Sequence, residues 1–79
     1  QNKTCISYYL KEQSQVTIQI TDINGKLVAT LVNEVQNEGM NELTWNGDND
    51  QKQQLPQGVY FAVFKSENSF EVKRIVFIR

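Results

Sequence analysis

Apolar residues recur at every second position along most of this chain, a spacing that predicts strands rather than helices. Ile6, Tyr8 and Leu10 share one face of a first run, and Val16, Ile18 and Ile20 share one face of a second, with Thr17, Gln19 and Thr21 turned outward. Half-buried strands alternate in this way because successive side chains leave opposite faces of the pleat. Asn24 and Gly25 separate the second run from a third, Lys26 to Val32, and Asn-Gly tolerates the positive φ angles of a tight two-residue hairpin. The polar stretch Asn33 to Gly39 reads as a connection to a fourth run, Met40 to Trp45, in which Leu43 and Trp45 point the same way. Trp45 is expected to plug the centre of the core, since so large an aromatic dominates the packing of a small domain.

The stretch NGDNDQKQQLPQG is rich in turn formers, and Leu55 and Pro56 within it are expected to mark a short edge segment, because proline cannot donate to an interior ladder. Val59 to Lys65 carries Tyr60, Ala62 and Phe64 on one face and Val59, Phe61 and Val63 on the other. Both faces are apolar, which predicts a central strand. A turn, Ser66 to Ser69, returns the chain into a last strand, Phe70 to Ile78. Six or seven short strands without helical periodicity predict an all-β fold, a two-sheet antiparallel sandwich of immunoglobulin-like type.

Composition narrows the function. The chain has 79 residues, enough for one small domain with a modest core. A net charge of −1 with no clustered basic stripe argues against nucleic-acid binding. No apolar run approaches the roughly 18 residues of a membrane-spanning helix. Histidine is absent, which excludes serine-histidine and cysteine-histidine catalysis and histidine-ligated zinc. Cys5 is the single cysteine, so the chain forms no internal disulfide, and it reads as a small packed hydrophobe. No cofactor is expected. Asp48 and Asp50, with Asn46 and Asn49, have the oxygen donors that calcium accepts, but the glycine and bidentate glutamate of an EF-hand loop are missing, and a plain turn selects the same residues. Tyr9, Phe61 and Phe70 are candidates for a sugar-stacking or partner-binding platform if they share a face. Gln1 to Leu10 holds no apolar core behind a basic head, so the stretch does not read as a signal peptide.

Several segments taken together resemble the type A C-terminal sorting domain of the type IX secretion system of Bacteroidetes. NKTCISYYL is similar to that family's opening, and VTIQITDINGKLVATLV to its strand, Asn-Gly turn and strand. GMNELTWNGDNDQKQQLPQGVYFAVF, with Trp45, Gly47, Gly58 and Tyr60, resembles its W-[DN]-G and G-[VI]-Y region, and VKRIVFIR its basic-then-apolar ending. A closely similar immunoglobulin-like module of flagellar hook-capping proteins shares the W-[DN]-G and G-[VI]-Y elements. Lys52 departs from the pattern by standing where glycine is common, so either it takes an unusual backbone angle or the loop is remodelled.

The sorting resemblance implies a single non-catalytic domain over residues 1–79, carrying an N-terminally fused cargo protein through the periplasm to the cell surface or medium. The implied partners are translocon components and a sortase-like surface protease, with a strand-swapped dimer as a further possibility. It implies that Lys73, Arg74, Ile75, Val76, Phe77, Ile78 and Arg79 are the surface that is read, while Asn24, Gly25, Trp45, Gly47, Gly58 and Tyr60 hold the motif's shape. The alternative is a structural spacer, adhesion or carbohydrate-binding module of a secreted enzyme.

Overall fold

The structure, a computed structural model, describes residues 3–78. Six strands follow one another: β1 (Thr4–Leu10), β2 (Ser14–Thr21), β3 (Leu27–Gln36), β4 (Gly39–Trp45), β5 (Gly58–Lys65) and β6 (Phe70–Phe77). They form two antiparallel sheets, β1-β4 and β3-β2-β5-β6, packed face to face as an immunoglobulin-like sandwich. The alternation seen in the sequence sets which face is buried. Val16, Ile18 and Ile20 are at most 1% exposed, while Thr17, Gln19 and Thr21 stay half-buried on the opposite face. As expected, β5 is internal, between β2 and β6.

The core has two parts. Trp45, Tyr60, Phe77, Ile75, Ile20, Ala29 and Ala62 fill one end, and Leu10, Val16 and Ile18 fill the other with Tyr8 and Phe64 against them. Trp45 is 1% exposed and touches Tyr60 edge-on at 5.4 Å and Phe77 at 5.5 Å between ring centroids. Aromatic pairs at these separations add about 0.5–1.5 kcal/mol each beyond the area they bury. Ser14 ties the far end together, its Oγ donating to the Gln15 carbonyl and accepting from the Glu67 N–H.

Three local readings need correction. The β2–β3 turn is not a two-residue Asn-Gly hairpin. The Gly25 N–H donates to the Asp22 carbonyl, the Asp22 N–H to the Lys26 carbonyl, and only Gly25, at φ +85°, has a positive φ. This is the three-residue form, a turn centred on Ile23 and Asn24 followed by a left-handed glycine. It is favoured because the Asp22 carboxylate accepts from the Asn24 and Lys26 N–H groups, both at 2.9 Å.

The polar stretch after Val32 is not a loop either. Asn33 to Gln36 continue β3, paired with Ser14 to Thr17, since backbone pairing with a neighbouring strand needs no apolar side chain. Two register shifts against β2 leave Leu31 and Val28 as extra residues of β3. The resulting bulges let Leu31 and Val32, adjacent in sequence, both reach the core. Finally, Leu55 and Pro56 lie in no strand. Gln54 makes an isolated bridge to Asp48, and Leu55 packs half-buried on the core with its N–H on the Gly47 carbonyl.

Candidate functional site

The loop between β4 and β5 is built around Trp45. Its indole Nε1–H donates to the Asp48 carbonyl at 2.9 Å, and the Tyr60 hydroxyl donates to the Pro56 carbonyl at 2.6 Å. A tyrosine bonded to backbone a few residues upstream is a recurring brace in immunoglobulin-like folds. Gly47, at φ +77°, lays its backbone on the Phe77 ring so closely that a methyl group there would overlap Cζ, Cε1 and Cε2. Gly58 opens β5 and is exposed, and Asn24 and Gly25 sit in their exposed turn, remote from these contacts.

Asp50 and Asn49 are engaged in holding this loop in shape. Asp50 Oδ1 accepts from the Thr30 N–H, and Asn49 Oδ1 accepts from the N–H groups of Gln51 and Gln53, each at 2.9 Å. Among the described residues, no group of three metal-ligating side chains forms a site. Lys52 sits at φ +65°, so of the two possibilities for this departure the unusual backbone angle is the one adopted. The Lys52 N–H on the Asn49 carbonyl and the Asn49 side chain together close the loop that imposes it.

The last strand does not present one surface. Ile75 and Phe77 are 6% and 1% exposed and belong to the core, where a partner reaches them only by unfolding the domain. Lys73 lies on the same side of the strand, while Arg74 and Val76 face outward and Ile78 follows beyond the strand end. Arg79 lies outside the described residues. β6 pairs with β5 along its whole length, from Gly58↔Phe77 to Lys65↔Phe70.

Nor do the aromatics form a platform. Tyr9 lies on the outer face of the two-stranded sheet, and Phe61 and Phe70 on the outer face of the other. Phe70 pairs with Lys65, four residues along β5 from Phe61, a separation of roughly 13 Å.

A concave feature lies away from this loop. The two-stranded sheet leaves part of the four-stranded one uncovered, and beside the unpaired edge of β1 this opens a cleft of about 940 Å³. Ile18, Ala62 and Phe64 floor it, Tyr8 stands on the β1 side, and Glu71 and Lys73 stand on the β6 side. Tyr8 packs on Phe64 at 5.3 Å and donates to Gln36 Oε1 at 2.7 Å. Burial, and secondarily the nearby Glu34 charge, pushes its hydroxyl above the ordinary tyrosine value. Such a cleft offers apolar contact beside a strand edge that no described strand pairs, a combination suited to packing. Sequence reasoning missed Glu71 and the role of Tyr8. The alternation did place Tyr8 inward, but its partner Gln36 lay in the stretch read as a loop.

Comparison with known proteins overturns the sorting-domain reading. The profile of the FlgD Ig-like domain family matches residues 1–69, which span β1 to β5. The fold is also that of FlgD from P. aeruginosa, with a TM-score of 0.73 at 19% identity over 91% of this chain and 57% of that one. A truncated FlgD from Helicobacter pylori gives a TM-score of 0.66 at 21% identity, over 96% of this chain and 60% of that one. This chain thus spans under two thirds of either solved relative. A search of curated proteins gave no significant match. The type IX translocon, the sortase-like protease and the carried cargo were implied by the sorting resemblance and fall with it. The shared W-[DN]-G and G-[VI]-Y elements belong here to the other module that carries them, and the family is one of structural, scaffold-type proteins. The chain is a member of the FlgD Ig-like domain family.

Proposed function

We propose that this chain is a non-catalytic structural module of a flagellar hook-capping type of protein, working outside the cytoplasm as one rigid part of a longer polypeptide. The observation that carries this reading is the family match over residues 1–69, which takes in five of the six strands and the Trp45–Tyr60 brace. The internal chemistry supports it. The polar groups of Trp45, Tyr60 and Ser14 are all engaged in holding strands and loops together. Among the described residues no buried side-chain nitrogen or oxygen lacks a hydrogen-bond partner, as expected of a rigid packed module.

The test is location. Hook structures would be isolated from the source bacterium and probed with an antibody raised against this chain. Labelling at the growing hook tip is the expected result. Signal confined to the general cell surface or the medium overturns the reading.

A further inference from the structure

β6 is the outer edge of the four-stranded sheet, and no described strand takes its free side. Such an edge is a template on which another strand can add, and proteins commonly shield it with charge. The charges on this edge are arranged so that a second copy of the same strand neutralises them.

The pleat decides which side chains meet. Ile75 and Phe77 are buried and Glu71 and Lys73 line the cleft, so these four share the core side. Phe70, Val72, Arg74 and Val76 share the outer side and are exposed. When two identical strands pair antiparallel about a two-fold axis normal to the sheet, the residue on the axis faces its own copy, and residues equally spaced on either side of it face each other.

An axis through Lys73 sets lysine against lysine, and one through Arg74 sets arginine against arginine, which directly opposed strands disfavour. An axis through Val72 does neither. It places Glu71 opposite Lys73 of the second copy twice, Phe70 opposite Arg74 of the second copy twice, and Val72 against Val72. The two charge pairs are complementary, and the two aromatic-guanidinium pairs add cation–π contact.

We propose that β6 of one copy adds antiparallel to β6 of a second, centred on Val72, joining the two four-stranded sheets into one of eight. Each copy keeps β6 on its own β5, so no strand is exchanged. Residues 70–78 lie beyond the family match, so the proposal rests on the charges of this strand and not on the family assignment. Five residues per strand make a smaller contact than the roughly 1,200 Å² of a standard stable interface, so the association is weak and depends on concentration.

Sedimentation equilibrium of the 79-residue chain, from about 10 μM to about 1 mM, tests this. A reversible monomer–dimer equilibrium is expected. E71K and K73E alone each turn two attractive pairs into repulsive ones and weaken the dimer roughly tenfold, whereas the double variant E71K/K73E restores it. Both positions are exposed, so the fold is unaffected. In a C5S background, V72C is expected to form a disulfide-linked dimer on mild oxidation, because opposed residues on the axis have Cα atoms about 4.5–5.5 Å apart, within disulfide reach. R74C is expected to form none. A monomer at every concentration, a double variant as weak as the singles, or cross-linking through R74C in place of V72C each overturns the proposal.

Discussion

Gly47→Ala tests the packing of the loop on the core. Gly47 adopts φ +77°, where an alanine pays about 1–2 kcal/mol in backbone strain. Its new methyl would overlap Cζ, Cε1 and Cε2 of Phe77. That ring cannot swing away easily, because Phe77 is 1% exposed and packs on Trp45. Forcing an extra carbon into so tight a site costs about 1–3 kcal/mol more. The sum, roughly 2–5 kcal/mol, is a large part of the ~4–12 kcal/mol expected for a domain of this size. Urea unfolding followed by fluorescence measures it directly, since Trp45 is the sole tryptophan and lies at the contact. Phe77→Leu deletes the three obstructing atoms. In that background G47A should cost only the backbone strain, giving a coupling of at least about 1 kcal/mol between the two sites. If G47A costs the same in both backgrounds, or under about 1 kcal/mol in the native one, the close approach of Gly47 to Phe77 is wrong.

Three further outcomes are expected. Asp22→Ala removes the acceptor for the Asn24 and Lys26 N–H groups and should cost about 1 kcal/mol in thermal unfolding, with Asp22→Asn recovering most of it. Lys52→Gly releases a left-handed lysine at φ +65° and should raise stability by roughly 0.5–1 kcal/mol, measured by the shift in urea midpoint at unchanged slope. For Tyr8, whose folded value lies above the ordinary 10.0, the neutral hydroxyl is favoured in the fold. Its contribution to stability is therefore intact below about pH 10 and lost as pH rises through the folded value. An NMR titration should place Tyr8 above the ordinary value and show Glu34→Gln lowering it only in part, since burial is the larger cause.

The sandwich was legible because alternation reports burial directly, and Val16, Ile18 and Ile20 alternate without a break. Residues Asn33 to Gln36 were illegible for the opposite reason. Their strand is held by backbone pairing with β2, and a stretch whose one apolar residue, Val35, is exposed carries no trace of that. The bulges at Val28 and Leu31 were hidden too, because a register shift depends on the partner strand and not on the run itself. At the hairpin the Asn-Gly pair drew attention from Asp22, whose carboxylate selects the longer turn. On the last strand, sequence showed a basic and apolar run but not that Ile75 and Phe77 turn inward, which divides the run between core and surface. The cleft arises from unequal sheet widths, two strands against four, a property of topology that local pattern does not encode.

We propose that this domain serves hook assembly as a structural part. The most direct measurement is in-frame deletion of its coding segment from the parent gene in the source bacterium, with hooks counted by electron microscopy of isolated cell envelopes. The rest of the parent protein would be confirmed present outside the cytoplasm. Loss of normal hooks, restored by the native segment but not by one carrying G47A at a temperature where that variant is unfolded, is the predicted result. Normal hooks in the deletion strain would contradict that role.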